Sequence, residues 1–447
     1  MKIKEFLTLF LAVALLGLNS CKKDSIDSTE LLKSVPSSAA GVVVFNLESL
    51  LSDAGCKVKD HNVKTGPEIE ALINKATGSE QKDLMMLFDG STGIEPKTAV
   101  VFYDAGRTYL TFALYDVKKF CDFIENKNGF KFSDENGVKE GRNIAVKGSQ
   151  AWVCISSGTG LDSTAISSYS ELSPSQSFLV TPMGEKLLVE EDDIRGWALI
   201  KTFLNEMLSR GDRSMATLGL GFLFEDPEAV EFKADFESGE IEFEAKVLNS
   251  KGKPAKYLLP SEKINVETLK SLGSSCDAMM AFTVNAKLIK KFEQIGAAFG
   301  GALFGDLGEA LNNVDGTVGI IGSGQGIGRG MNGVITTKGE VSKTLKDFIS
   351  GQMGPVSTDG KYLRFSQGDV KGSLSVSDCA EELKGCCMGM VFGPSSLVLD
   401  SNEPSLQKSF KSFAIKLMPD SESLEFEVEI KTSDPKENSL LTVLKAL

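Results

Sequence analysis

Few residues in this 447-residue chain have the type and spacing that chemistry requires. His61 is the single histidine, so a Ser-His-Asp site has to use it, and no G-x-S-x-G elbow accompanies it. It sits in Asp60-His61-Asn62, a polar stretch that reads as surface. Ser79-x-x-Lys82 and Ser405-x-x-Lys408 match the S-x-x-K of penicillin-recognising enzymes, but Lys64-Thr65-Gly66 precedes both and no S-D-N follows, so the order that chemistry needs is missing. Gly328-Arg329-Gly330-Met331-Asn332-Gly333 has dinucleotide spacing. That fingerprint requires a strand before it and a helix N-terminus to meet the pyrophosphate, whereas β-like Val334-Ile335-Thr336-Thr337 follows. The run reads as a glycine-rich hairpin, and no cofactor is expected.

Metal chemistry is equally thin. One imidazole and no C-x-x-C pair exclude a familiar zinc site. The acidic run Glu190-Glu191-Asp192-Asp193 lacks the alternation and central glycine of a calcium loop and suits a helix start instead. No metal site is expected. Gly296-x-x-x-Gly300 and Gly301-x-x-x-Gly305, in the helix-like stretch 295–308, point to close packing inside the domain.

Cysteine is the exception. Lys2 and Lys4 precede a run, residues 6–18, that is almost wholly apolar, and Leu18-Asn19-Ser20-Cys21 follow. A basic start, a short apolar core and small residues at the cut describe a secretory signal, and the run is too short to span a bilayer. Leu18, Ser20 and Cys21 resemble the lipobox of bacterial lipoproteins, with Asn19 departing from the usual residue. The resemblance implies cleavage after residue 20, acylation of Cys21 and membrane anchoring, each buried methylene contributing about 0.8 kcal/mol. The Cys-Lys-Lys-Asp start is similar to export tags of Bacteroidetes lipoproteins, which implies the outer membrane. The other seven cysteines, an odd number at irregular spacing, are not a disulfide framework. Cys121, Cys154 and Cys276 read as buried thiols. Whether Cys379 pairs with Cys386 or Cys387 stays open.

Composition narrows the partners. Removing residues 1–20 deletes Lys2, Lys4 and Glu5, so the formal charge moves from −13 to −14. Phosphate backbones repel such a chain, and no basic stripe relieves this, so nucleic acid is excluded as a partner. With 42% hydrophobic and 24% charged residues the chain folds, into more than one domain at this length.

The elements that position these residues form a duplication. KSVPSSAAGVVVFNL at 33–47 aligns with KSLGSSCDAMMAFTV at 270–284, and the alternating runs 241–247 and 424–430 match in the same order. Asp122-Phe123-Ile124 and Asp347-Phe348-Ile349 mark comparable helices. The fold class is therefore α+β: two related halves, each a mainly antiparallel sheet with helices packed on one face. The divisions are a signal peptide at 1–20, a linker at 21–32, a first repeat at 33–255 and a second at 256–447. A hairpin over 230–247 is expected to turn Val230, Phe232, Ala234, Phe236, Ile241, Phe243, Ala245 and Val247 inward and to keep its acidic face wet.

The proline-led turn, apolar strand and Leu-rich helix of VPSSAAGVVVFNLESLLSDAG, and Asp192-Asp193-Ile194-Arg195-Gly196-Trp197-Ala198-Leu199, are similar to elements of a family of large Bacteroidetes lipoproteins known as a domain of unknown function. The resemblance implies an envelope location and carries no catalytic residues. The expected function is a lipid-anchored, non-catalytic binding or scaffold protein whose partner is an envelope protein, glycan or lipid. Two tryptophans, Trp152 and Trp197, make a stacking-dominated glycan surface poorly supported. The alternative is an envelope hydrolase using a pair of carboxylates.

Overall fold

The computed structural model describes residues 28–446 except 60, 76–77, 130, 136–137, 142, 156–167, 190–191, 208–219, 222, 259–261, 286–287, 291–309, 311, 325–329, 397–407 and 421–422. It forms two compact units: 1–213 with 228–238 and 436–445, and 214–227 with 239–435 and 446–447. The class is α+β, and the named strand pairings are antiparallel.

In the first unit, Gly41–Asn46 pairs on one side with Ile194–Leu199, which pairs with Pro227–Glu237. On its other side the order runs through Ile94–Asp104, Arg107–Leu114, Gln150–Cys154 and Ile144–Lys147. In the second, Ala278–Val284 pairs with Met388–Phe392, then Phe410–Asp420, then Ser423–Thr432. Opposite come Val314–Gly322, Met331–Thr337, Tyr362–Gln367 and Val356–Asp359. One order of pairing thus serves both units, as the duplicated sequence requires. The strand Glu240–Asn249, which the repeat assigns to the first copy, lies in the second unit and pairs with its own counterpart Ser423–Thr432.

Local sequence sets the boundaries. Asn46 ends a strand and its side chain accepts the Ser49 N–H, starting the helix Leu47–Asp53. Asn285 does the same for Leu288 N–H. Asp116 and Ser342 cap Val117–Asn128 and Lys343–Met353, the two helices carrying the repeated Asp-Phe-Ile. These short polar side chains replace hydrogen bonds that a helix start leaves unmade. Ala105 and Gly106, both at positive φ, turn Asp104 back onto Arg107 as a two-residue hairpin demands.

Helices cover both sheet faces. In the second unit Leu269, Cys379, Ala380 and Leu383 pack with Met279, Ile321 and Val334. Leu345 and Ile349 pack with Val318, Ile335 and Phe365. Val318 and Ile321 differ in parity, so they point to opposite sides of one strand. A strand buried on both sides reads as a continuous apolar run and hides its period.

The hairpin strands form, but their facing differs from expectation. Val230, Phe232, Ala234, Phe236, Ile241, Phe243, Ala245 and Val247 are all only half-buried. The charged face of the outer strands is the covered one in the second unit: Lys416 is 8% and Glu429 7% exposed, beside Ala414 and the helix Val376–Glu382.

Candidate functional site

Three places concentrate polar chemistry. The first is a carboxylate cluster in the first unit. Asp193 precedes the strand Ile194–Leu199, and its N–H donates to Asp235 Oδ1 (3.0 Å) while its Oδ2 accepts the Phe236 N–H (2.8 Å). Asp53, at the end of the helix Leu47–Asp53, accepts from Asn438 Nδ2 at 2.7 Å. Asp192 pairs with Arg195 Nε at 3.0 Å, and Arg195 Nη1 donates to Leu187 O. Burial, then the charge and hydrogen bond of Asp193, push the Asp53 carboxyl up to about 7. Burial, with the charges of Asp192 and Asp193, pushes Asp235 up to about 6, against the lowering effect of the Asp193 N–H. Like charges in one pocket disfavour full ionisation, so this cluster holds protons near neutrality. Its acceptors serve to join four separate segments.

The second is an ion-pair network in the second unit. Lys416 contacts Glu382 (2.9 Å), Glu427 (2.7 Å) and Glu429, and Lys431 contacts Glu429 (2.7 Å) and Glu382. The register explains it: Lys416 lies directly across from Glu427, and Ala414 across from Glu429. Burial works against the Lys416 charge, but the hydrogen bonds it donates to three carboxylates hold it well above the ordinary lysine range. Glu429 lies far below the ordinary range because hydrogen bonds, including those from Lys416 and Lys431, outweigh its burial. Glu240 is the odd member: burial, then its hydrogen bond with Glu429, pushes it up to about 8, so it enters the network as a neutral acid.

The third is a cavity of about 370 Å³ in the second unit. Ser271 and Leu272 follow the helix Val266–Lys270; Asn332 and Gly333 open one strand, Arg364, Phe365 and Ser366 belong to the next, and Val356 and Ser357 to the third. Arg364 Nη1 donates to Ser271 Oγ at 2.9 Å, and its guanidinium lies 5.8 Å from the Tyr362 ring centre. Ser366 Oγ donates to Asn332 Oδ1 (2.7 Å), whose amide donates to Leu272 O (3.1 Å). Among the described residues lining the cavity none is Asp or Glu. A planar cation beside hydroxyls and an amide suits a carboxylate or phosphate oxygen.

The residues singled out from sequence scatter. Cys21, the lipidation residue, lies outside the described residues, as do 190–191, the helix-like stretch 295–308, Ser405 and Gly328-Arg329. Gly330 to Gly333 lie at the start of the strand Met331–Thr337, which pairs with Val314–Gly322, so no helix N-terminus follows the glycines. Ser79 opens the helix Ser79–Phe88, while Lys64 ends a short strand. His61 is not a surface residue: its ring stacks on Tyr115 at 4.0 Å and its Nδ1 is 3.9 Å from Glu95 Oε2, on a side chain 25% exposed. His61 also has a positive φ, and neither this nor the stacking on Tyr115 is revealed by the composition of the flanking residues. Cys379, Cys386 and Cys387 are free thiols, and Cys379 shares a core cluster with Cys276 and Cys386. Cys379 and Cys276 perturb each other's ionisation, Cys386 Sγ contacts Met418 Sδ at 3.3 Å, and Cys387 Sγ lies 3.8 Å from Tyr257 OH.

No metal-holding group of three or more His, Cys, Asp or Glu occurs among the described residues, and no described helix is long and apolar enough to cross a membrane. No family model matches the chain, and no curated protein matches it in sequence. Among solved structures, crystal form IV of TP0453 is similar at 12% identity and a TM-score of 0.31, covering 48% of this chain and 79% of that one. Crystal form III of TP0453 gives 11% identity and a TM-score of 0.31, covering 80% and 98%. Likenesses at this level assign neither fold family nor activity to the chain.

Proposed function

We propose that the chain is a lipid-anchored protein of the cell envelope, tethered through Cys21 to the outer membrane, that binds a partner or ligand without transforming it. The observation that carries the tether is the basic, then apolar leader ending in Leu18-Asn19-Ser20-Cys21; acyl chains there give anchoring that one weak interfacial helix cannot. The binding reading is supported by the cavity at Arg364, which offers a cation and neutral hydrogen-bonding groups but no general acid or base among its described lining residues. Cys21→Ser should move the protein from the membrane to the soluble fraction of the expressing cell without altering its melting temperature. Unchanged membrane retention sinks the proposal.

The hydrolase reading has one observation in its favour. Asp53 and Asp235 titrate near neutrality, and shifted carboxylates gather at active sites. Against it, Asp53 accepts from Asn438, Asp193 from the Phe236 N–H and Asp235 from the Asp193 N–H. Such contacts account for the cluster as a tie between segments.

A further inference from the structure

We infer that Cys276 and Cys379 are a disulfide-forming pair, and that oxidation links them in preference to any pairing of Cys379 with Cys386 or Cys387. The two residues come together through the fold. Cys276 lies on the short strand Ser275–Cys276, which pairs with Leu374–Ser375, setting Cys276 directly across from Leu374. Ser375 then caps the helix Val376–Glu382, its side chain accepting the Asp378 N–H, and the Val376 N–H donates to Ser274 O at 3.2 Å. The first turn of that helix therefore lies against the segment carrying Cys276, with Cys379 inside the same core cluster. The two thiols lie close enough for each to perturb the other's ionisation.

The competing thiols are engaged elsewhere. Cys386 contacts Met418 Sδ, and Cys387 faces Tyr257 OH and Leu417 O. Cys56, Cys121 and Cys154 belong to the first unit. Sequence proximity favours Cys379 with Cys386 or Cys387; the strand pairing and the Val376–Ser274 hydrogen bond, which bring the helix start onto the Cys276 segment, favour Cys276.

The reaction is a thiol–disulfide exchange with an oxidant disulfide, either a protein oxidase or oxidised glutathione. The Cys276 thiolate attacks one oxidant sulfur, its proton leaving to solvent, and the oxidant's S–S bond breaks to release one thiol. The Cys379 thiolate then attacks Cys276 Sγ in the mixed disulfide and expels the second thiol. One Sγ–Sγ bond forms, two S–H bonds are lost, and the two electrons reside on the reduced oxidant. Cys276 and Cys379 are 0% and 3% exposed, so exchange takes place before the helix closes over Cys276, or when it opens. Contact with Cys379 holds the Cys276 thiol below its ordinary value, which makes Cys276 the attacking residue. The export proposed above supplies the oxidising compartment in which the link would form; the chemistry of the pair does not depend on it.

The test uses the mature chain carrying Cys21→Ser, refolded from denaturant in a buffer of oxidised and reduced glutathione, then alkylated and mapped without reduction. The expected product has one cross-link joining the Cys276 and Cys379 peptides, lighter by two hydrogens, with the other five thiols alkylated. Its melting temperature should exceed that of the same protein held in dithiothreitol, and Cys379→Ala should abolish the difference between the two buffers. Recovery of all seven thiols alkylated overturns the inference and leaves the pair as buried apolar groups. A dominant link from Cys379 to Cys386 or Cys387 also overturns it. Because the map is made on the protein with both residues intact, poor folding of the variant does not spoil the result. Membrane fractionation of the Cys21 variant reports on the anchor separately.

Discussion

The two units concentrate charge on their outer strands and balance it differently. In the first, Asp53, Asp192, Asp193 and Asp235 gather with Arg195 and Lys233 nearby, and two of the carboxyls hold protons near neutrality. In the second, Lys416 and Lys431 are set among Glu382, Glu427 and Glu429, with Glu240 shifted into the neutral range. Burying a charge is tolerated when an opposite charge and hydrogen bonds replace water. Where cations are too few, protonation substitutes for them. The first arrangement responds to pH; the second responds to loss of a partner.

The largest effect should come from removing the central cation. Lys416→Met leaves Glu382, Glu427 and Glu429 with one lysine, and loss of a buried partner costs about 3–5 kcal/mol. Denaturant unfolding followed in the second unit reads this directly, and adding Glu429→Gln should recover part of it. A cost below about 1 kcal/mol would show that the network behaves as an exposed set of ion pairs.

Asp53→Asn should act in the opposite direction. Between the ordinary aspartate value of 3.8 and about 7, the folded first unit binds more protons than the unfolded chain. Stability from this group is therefore present at low pH and lost as pH rises through that window. The amide removes the loss, so the variant should gain about 1 kcal/mol at pH 8, a figure discounted for a half-exposed carboxyl, and its stability should fall less between pH 4 and 7. A slope equal to the parent's would mean that another carboxyl holds the proton.

Glu240→Gln should do least. With its carboxyl pushed up to about 8, the folded parent is mostly neutral at pH 7 while the unfolded chain is ionised. The amide keeps the shape and removes that cost, a gain held within about 1 kcal/mol after discounting for a half-exposed carboxyl. Between the ordinary glutamate value of 4.5 and about 8 the folded parent binds more protons than the unfolded chain. The parent therefore loses stability as pH rises through that window and the variant does not, so their melting curves at pH 4 and pH 8 should diverge. Strong destabilisation at pH 7 would place a charged Glu240 in the network and erase the contrast with the first unit.

Much of the fold was legible in the residues. The matched turns at 33–47 and 270–284, the alternating strands and the paired Asp-Phe-Ile helices all reappear as equivalent elements. Facing was not legible. Alternation separates two faces of a strand but does not say which face is covered. Ile241, Phe243 and Val428 look like a core and are half-buried, whereas Lys416 and Glu429 look solvated and are enclosed. The covering residue, Glu382, comes from a helix remote in sequence. The same holds for the sites: Asp53, Asp193, Asp235 and Asn438 belong to four segments, and Cys276 reaches Cys379 only through the Leu374–Ser375 strand. Spacing rules detect ligands on one element and miss those that topology assembles.

The return of residues 436–445 to the first unit also sets an order of synthesis. Asn438 donates to Asp53 Oδ1 at 2.7 Å and to Phe236 O at 2.6 Å, while its own Oδ1 accepts the Leu440 N–H at 2.9 Å. A nascent chain therefore makes nearly all of the first unit early, yet cannot complete it until residues 436–445 have followed the whole of the second unit's sheet. A stop just before residue 436 would leave the second unit's strands intact and the first unit without Asn438 and the helix Ser439–Ala446.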